Sequence, residues 1–185
     1  MKTLTILIAL LLFAAGMVLA QPAQKDAPAQ NDWSAFHTAV TAGDLSAVEA
    51  LIAAGRNVEV KAPGPWQRSL LHVAAATGGK HPEAAAAITK KLIEAGADAN
   101  ATMLSGLSPL HEAARSGSEE VAKVLVANGA RLNRQICIKN CLDPDYKFND
   151  ATALDAAIGS KKPKLVALLR KSGAKTEVEL NKAAR

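Results

Sequence analysis

Apolar residues recur along this chain at helical spacing in four short stripes: Val48, Leu51 and Ile52; Ile88, Leu92 and Ile93; Val121, Val124 and Leu125; Leu165, Leu168 and Leu169. Each stripe predicts an amphipathic helix. Just upstream of each lies a second pattern: a hydroxyl residue, a large apolar residue, then a pair of small apolar residues. These segments read Ser34-Ala35-Phe36-His37-Thr38-Ala39-Val40, Ser69-Leu70-Leu71-His72-Val73-Ala74-Ala75, Ser108-Pro109-Leu110-His111-Glu112-Ala113-Ala114 and Thr152-Ala153-Leu154-Asp155-Ala156-Ala157-Ile158. The Ser or Thr oxygen can accept from the free N–H groups of a first helical turn. Pro109 stands at a first-turn position where a missing N–H costs nothing. The small pairs let neighbouring helices approach closely. Turns follow at Gly43, Gly78 and Gly117, and the second helices end at Gly55, Gly96, Gly129 and Gly173. The unit is helix–turn–helix.

Ser34, Ser69, Ser108 and Thr152 are separated by 35, 39 and 44 residues, so one unit is repeated with insertions of different size. Self-similarity at such a period means a stacked array. Arrays of this kind present a long concave surface to a macromolecule and seldom carry a catalytic pocket.

At these residues the chain resembles the ankyrin repeat family, whose unit carries Thr-Pro-Leu-His, two alanines, Gly, a Val-Leu-Leu helix and Gly-Ala followed by Asn. The third unit matches from Ser108 through Gly129-Ala130 to Asn133. The second ends Gly96-Ala97-Asp98-Ala99-Asn100, similar to the family's exit into its finger. The first has Ser34-Ala35 for Thr-Pro, and the fourth replaces the His by Asp155 and the mid-unit Gly by Lys161. The resemblance implies an all-α solenoid of about four repeats, near 32–60, 66–100, 105–134 and 149–175, joined by β-hairpin or loop fingers. Insertions fall at 79–84 and 134–148, and residues 176–185 form a closing helix and tail. For function it implies protein binding and no more.

The first 20 residues stand outside the array. Lys2 precedes an apolar run, and Val18-Leu19-Ala20 offers small residues before Gln21, the layout of a secretory signal peptide cleaved after Ala20. An uncleaved membrane anchor is the alternative, since the run approaches spanning length. Either way the array is expected outside the cytoplasm, in a periplasm or secreted space. Residues 21–31 are rich in Gln, Ala and Pro and read as a disordered tether. Formal net charge is +5, with much of the excess in Lys161, Lys162, Lys164, Arg170, Lys171, Lys175, Lys182 and Arg185. A solvated terminal face is the plain reading, and an acidic partner or anionic lipid the other. Nucleic acid is not expected, because no aromatic platform sits among these lysines.

Cys137 and Cys141 are the 2 cysteines, both in the largest insertion. In an oxidising compartment two nearby thiols are expected to pair. Free, redox-responsive thiols and a metal site are the alternatives, the last weak because Cys-x₃-Cys has no local His or second Cys pair. Three of the 4 histidines, His37, His72 and His111, share one repeat position, which in the family marks a structural hydrogen-bonding role; His81 lies alone in an insertion. His111-Glu112-Ala113-Ala114-Arg115 begins like a zinc-protease helix but has Arg where the second His is required. No phosphate loop appears. The chain is expected to be no enzyme and to need no catalytic residue, cofactor or metal.

Binding is expected on the concave face, from finger tips and exposed first-helix positions. Trp66 stands in Pro63-Gly64-Pro65-Trp66, Met103 and Leu104 occupy the second finger, Arg115 the third unit's first helix, and Tyr146 and Phe148 the enlarged third finger. Trp, Tyr and Arg dominate binding hot spots. In a chain only 3% aromatic, placing these residues in loops is informative. The alternative is that Trp66 covers the adjacent stack and Phe148 plugs its loop. Trp33 is expected to cap the open edge of the first unit. The expectation is therefore an exported, monomeric, non-enzymatic adaptor for a protein partner, protecting, inhibiting or neutralising an enzyme or toxin. It is similar to small exported bacterial ankyrin proteins that act beside an enzyme such as catalase. An envelope-tethered scaffold and a redox-responsive binding module are the rivals.

Overall fold

In a computed structural model of the chain, which describes residues 29–136 and 152–183, four helix pairs stack in register and a ninth helix closes the end. The inner helices are α1 (Ala29–Ala42), α3 (Leu70–Thr77), α5 (Pro109–Ser116) and α7 (Ala153–Gly159). The outer helices are α2 (Leu45–Ala53), α4 (Pro82–Glu94), α6 (Glu119–Ala127) and α8 (Pro163–Lys171), and α9 (Glu177–Ala183) follows. Inner helices pack on inner helices of adjacent units; α4 packs on α2 and α6, and α8 on α6. Among the described residues no strand forms, and the fingers are loops. The first is pinned by an isolated bridge between Lys61 and Ser69 and by the Ala62 N–H donating to the Arg68 carbonyl at 2.8 Å.

The core follows the sequence pattern closely. Phe36, Val40, Val48, Leu70, Leu71, Ile88 and Leu92 fill the first half, and Leu110, Val121, Leu125, Leu154, Leu165 and Leu169 the second. Each such side chain contributes about 1.5–3 kcal/mol by leaving water. Ala74, Ala75, Ala113, Ala114, Ala156 and Ala157 are buried between inner helices, as close stacking requires.

Three features differ from expectation. Helix α1 starts at Ala29, inside the stretch 21–31 read as a tether, so Ser34 is an interior residue and not a cap; it accepts from the Thr38 hydroxyl at 3.0 Å through its carbonyl. The extra residues of the second unit mostly become helix: α4 has 13 residues where α2, α6 and α8 have 9, with Pro82 in its first turn. That difference of four matches the lengthening of the spacing from 35 to 39 residues. Finally, Gly78 has φ −61, whereas the matching Gly43 and Gly117 have φ 71 and 81. Gly78 is required for space: a Cβ there would meet Ser118 Oγ at 2.7 Å and Val121 Cγ2 at 2.9 Å. Ser118 cannot yield, because its hydroxyl donates to the Ala75 carbonyl at 2.6 Å and so ties the third unit to the second.

Candidate protein-binding site

The repeated hydroxyl and imidazole form the frame of the site. The Ser69 backbone N–H donates to His72 Nδ1 at 3.3 Å, and the Ser69 hydroxyl lies 2.7 Å from the same nitrogen. Nε2 is 3.1 Å from the carbonyl of Leu107 at the end of the second finger. A carbonyl can only accept and a backbone N–H can only donate, so the ring is neutral with its proton on Nε2. Burial pushes the His72 pKa down to about 4, against the Leu107 hydrogen bond that favours the charged form; the positive charges of Arg68 and Lys61 lower it further. His111 repeats the Nδ1 side of the arrangement with Ser108, whose N–H donates to it at 3.4 Å and whose hydroxyl lies 2.8 Å away. His37 does not: it is exposed, and its ring lies against Trp33 with centroids 5.5 Å apart. Trp33 is partly buried and packs against the core of the first two units.

Hydrogen bonds of Asn100 fix one finger against the next. Its amide donates to the Gly129 carbonyl at 3.1 Å and its oxygen accepts from the Arg131 N–H at 2.8 Å. Asn133 accepts from the Lys175 N–H at 2.7 Å in the same way.

On this frame the expected binding residues are displayed unequally. Trp66 is 40% exposed and Leu104 60%, two of the large apolar side chains left in solvent. Met103 is partly buried, and its N–H donates to the Leu107 carbonyl at 3.0 Å to close the turn that carries Leu104. Arg115 is exposed, and its Nη2 donates to Glu112 Oε1 at 2.7 Å. Tyr146 and Phe148, like Cys137 and Cys141, lie outside the described residues. Trp66 and Leu104 occupy successive fingers, and Arg115 the inner helix α5 that follows them.

Glu112 and Arg68 went unrecognised in the sequence. Glu112 is only 2% exposed although charged, and Arg68, two residues after Trp66, brings its Nη2 to 3.6 Å from the same Oε1. The carboxylate therefore sits in the angle between the first finger and helix α5, with one guanidinium from each. No periodicity marks a pair 44 residues apart; the available signal was the oddity of a Glu between a stacking His and a buried alanine pair.

Two clefts lie elsewhere. One, of about 400 Å³, runs between the first and second finger bases and includes Val58, Glu59, Lys61, Asp98 and Thr102. The other, of about 660 Å³, lies at the helix turns, between Gly78, Pro82, Gly117 and Glu119. Neither includes an expected binding residue. Among the described residues no group of His, Cys, Asp and Glu is placed to hold a metal ion, and no helix is long and apolar enough to cross a membrane.

Stacked helix pairs, a hydroxyl–imidazole frame and Asn-linked fingers define a helical repeat protein built for display. Residues 36–136 and 86–180 match the family model described as ankyrin repeats (3 copies), and the chain belongs to the ankyrin repeat family. It is similar to the nuclear factor NF-kappa-B p105 subunit of Gallus gallus, 38% identical over 97 residues, which is 52% of this chain and 9% of that protein. It is also similar to the ankyrin repeat domain-containing protein 37 of Bos taurus, 33% identical over 97 residues, 52% of this chain and 56% of that protein. The chain is thus a protein–protein interaction module of a generally non-enzymatic family, and it matches a little over half of one relative and a small part of the other.

Proposed function

We propose that this protein is a non-enzymatic adaptor that holds a protein partner against its fingers and inner helices, outside the cytoplasm. The observation that carries the reading is the exposure of Trp66 and Leu104 on successive fingers beside Arg115. A large aromatic held in water has a cost that a partner's surface removes, and Trp and Arg are the residues most often dominant in such contacts. The partner is a folded protein that the adaptor protects, inhibits or neutralises.

Export rests on Lys2, the apolar run and Val18-Leu19-Ala20. The mature protein begins at Gln21, is monomeric, and carries a Cys137–Cys141 disulfide favoured by an oxidising compartment. Affinity capture from an envelope extract, with the intact mass of the bait recorded, tests both parts. A specific protein retained by a bait that lacks residues 1–20 and has no reactive thiol is expected. Retention of the N-terminal run would contradict export by cleavage, and two alkylatable thiols would contradict the disulfide. Failure to retain any protein would contradict the adaptor.

A further inference from the structure

The Arg68–Glu112–Arg115 cluster determines what chemistry the partner brings. A buried carboxylate is costly unless paired, and Glu112 is paired twice: with Arg115 at 2.7 Å through a hydrogen bond and with Arg68 at 3.6 Å through charge alone. The group carries one negative and two positive charges. Its anion is enclosed while both guanidiniums reach solvent, 38% and 41% exposed. What a partner meets is therefore positive. At 3.6 Å the Arg68 contact is too long for a hydrogen bond, so that guanidinium keeps hydrogen-bonding capacity for an acceptor from outside. A third guanidinium reaches the second finger: Arg134 Nε donates to the Gly106 carbonyl at 3.3 Å, two residues past Leu104. Exposed Glu59 and Asp98 line the separate cleft at the finger bases. The exposed apolar residues Trp66 and Leu104 thus stand two residues before Arg68 and two before the Gly106 carbonyl that Arg134 contacts, and a buried acid orients two of the arginines.

We infer that this face is a docking site for an acidic segment of the partner protein, one that pairs side-chain carboxylates with Arg68 and Arg115 and sets apolar side chains on Trp66 and Leu104. Arginine suits this work because its planar fork matches a carboxylate. Glu112 acts as a positioning residue: it holds the two guanidiniums at one place without presenting its own charge. The inference rests on the adaptor reading above and specifies its partner.

The test measures fluorescence polarisation of a labelled Glu- and Leu-rich peptide, and of the same peptide with Gln or with Lys in place of Glu. The Glu peptide is expected to bind best and to weaken as salt rises, since exposed charge pairs are screened. Arg68→Gln and Arg115→Gln, each checked for unchanged melting, are expected to weaken the Glu peptide about fivefold or more and leave the Gln peptide unaffected. Glu112→Gln, at unchanged melting, is expected to weaken the Glu peptide and leave the Gln peptide unaffected, because a neutral amide holds the two guanidiniums less firmly in place. Equal binding of Glu and Gln peptides, no binding of the Glu peptide, or indifference to both arginine substitutions would overturn the inference. If the Gln peptide binds equally and is lost with Trp66→Ala, or if a protein is captured from extract without salt dependence, the adaptor stands and only its acidic specificity fails.

Discussion

His72 and Asp155 occupy the same place in their units and make opposite hydrogen bonds. His72 donates from Nε2 to the Leu107 carbonyl of the finger that follows it, at 3.1 Å. Asp155 accepts through Oδ2 from the Glu177 N–H of helix α9, at 2.8 Å. Within the array the next element offers a carbonyl, so a donor is needed. At its end the next element is a helix start, whose free N–H groups need an acceptor. Asp155 also accepts from the Thr152 N–H at 3.2 Å, as the imidazole does from its own serine. The departure from the repeat at Asp155 is thus the device that closes the stack, reinforced by Arg170 Nη1 at 2.6 Å from Glu179 Oε2.

Asp155→Ala should therefore loosen the C-terminal end specifically. Removing the acceptor leaves the N–H groups of Thr152 and Glu177 without it, at about 1–3 kcal/mol. Hydrogen exchange should show α9 opening first, with helices α1 to α4 unaffected. Uniform loss of protection along the chain would contradict this role.

His72 makes stability depend on pH. Its folded pKa is near 4 and its ordinary value 6.5, so between these limits the unfolded chain binds a proton that the folded chain refuses. The contribution is intact above 6.5 and is lost as pH falls toward 4, by up to about 3 kcal/mol. Denaturant midpoints across that window should fall more steeply for the natural chain than for His72→Gln. Identical slopes would show that the imidazole is not held neutral.

Lys161 stands where Gly43 and Gly117 stand in their units and keeps their backbone, with φ 55. A side chain there costs on the order of 1 kcal/mol or more, so Lys161→Gly should raise the unfolding midpoint. Gly78→Ala should lower it by about 1–3 kcal/mol, since the new methyl overlaps Ser118 and Val121. Two thermal melts check the pair, and an unaltered melt in either variant contradicts the corresponding argument.

The helix pairs were legible because each is a local pattern: apolar stripes at helical spacing, small pairs such as Ala113-Ala114, and Ser69, Ser108 and Thr152 at the helix starts. The first turns of α1 were not, because Ala29 to Asp32 carry no apolar stripe. The sequence pointed to a turn at Gly78, but its requirement for space depends on Ser118 and Val121 in the next unit. On the binding face Trp66 and Leu104 were legible as apolar residues in loops. The Arg68–Glu112 pair was not, since a buried charge is recognised only once its partner's position is known.

The most direct test of the account is partner binding by Trp66→Ala, measured by calorimetry on the captured protein beside Lys171→Ala as a remote control. Trp66→Ala should melt as the natural chain does and bind more weakly by about 2 kcal/mol or more, with Lys171→Ala unchanged. Unfolding of Trp66→Ala would make the residue part of the core, and undiminished binding would place the partner on another face.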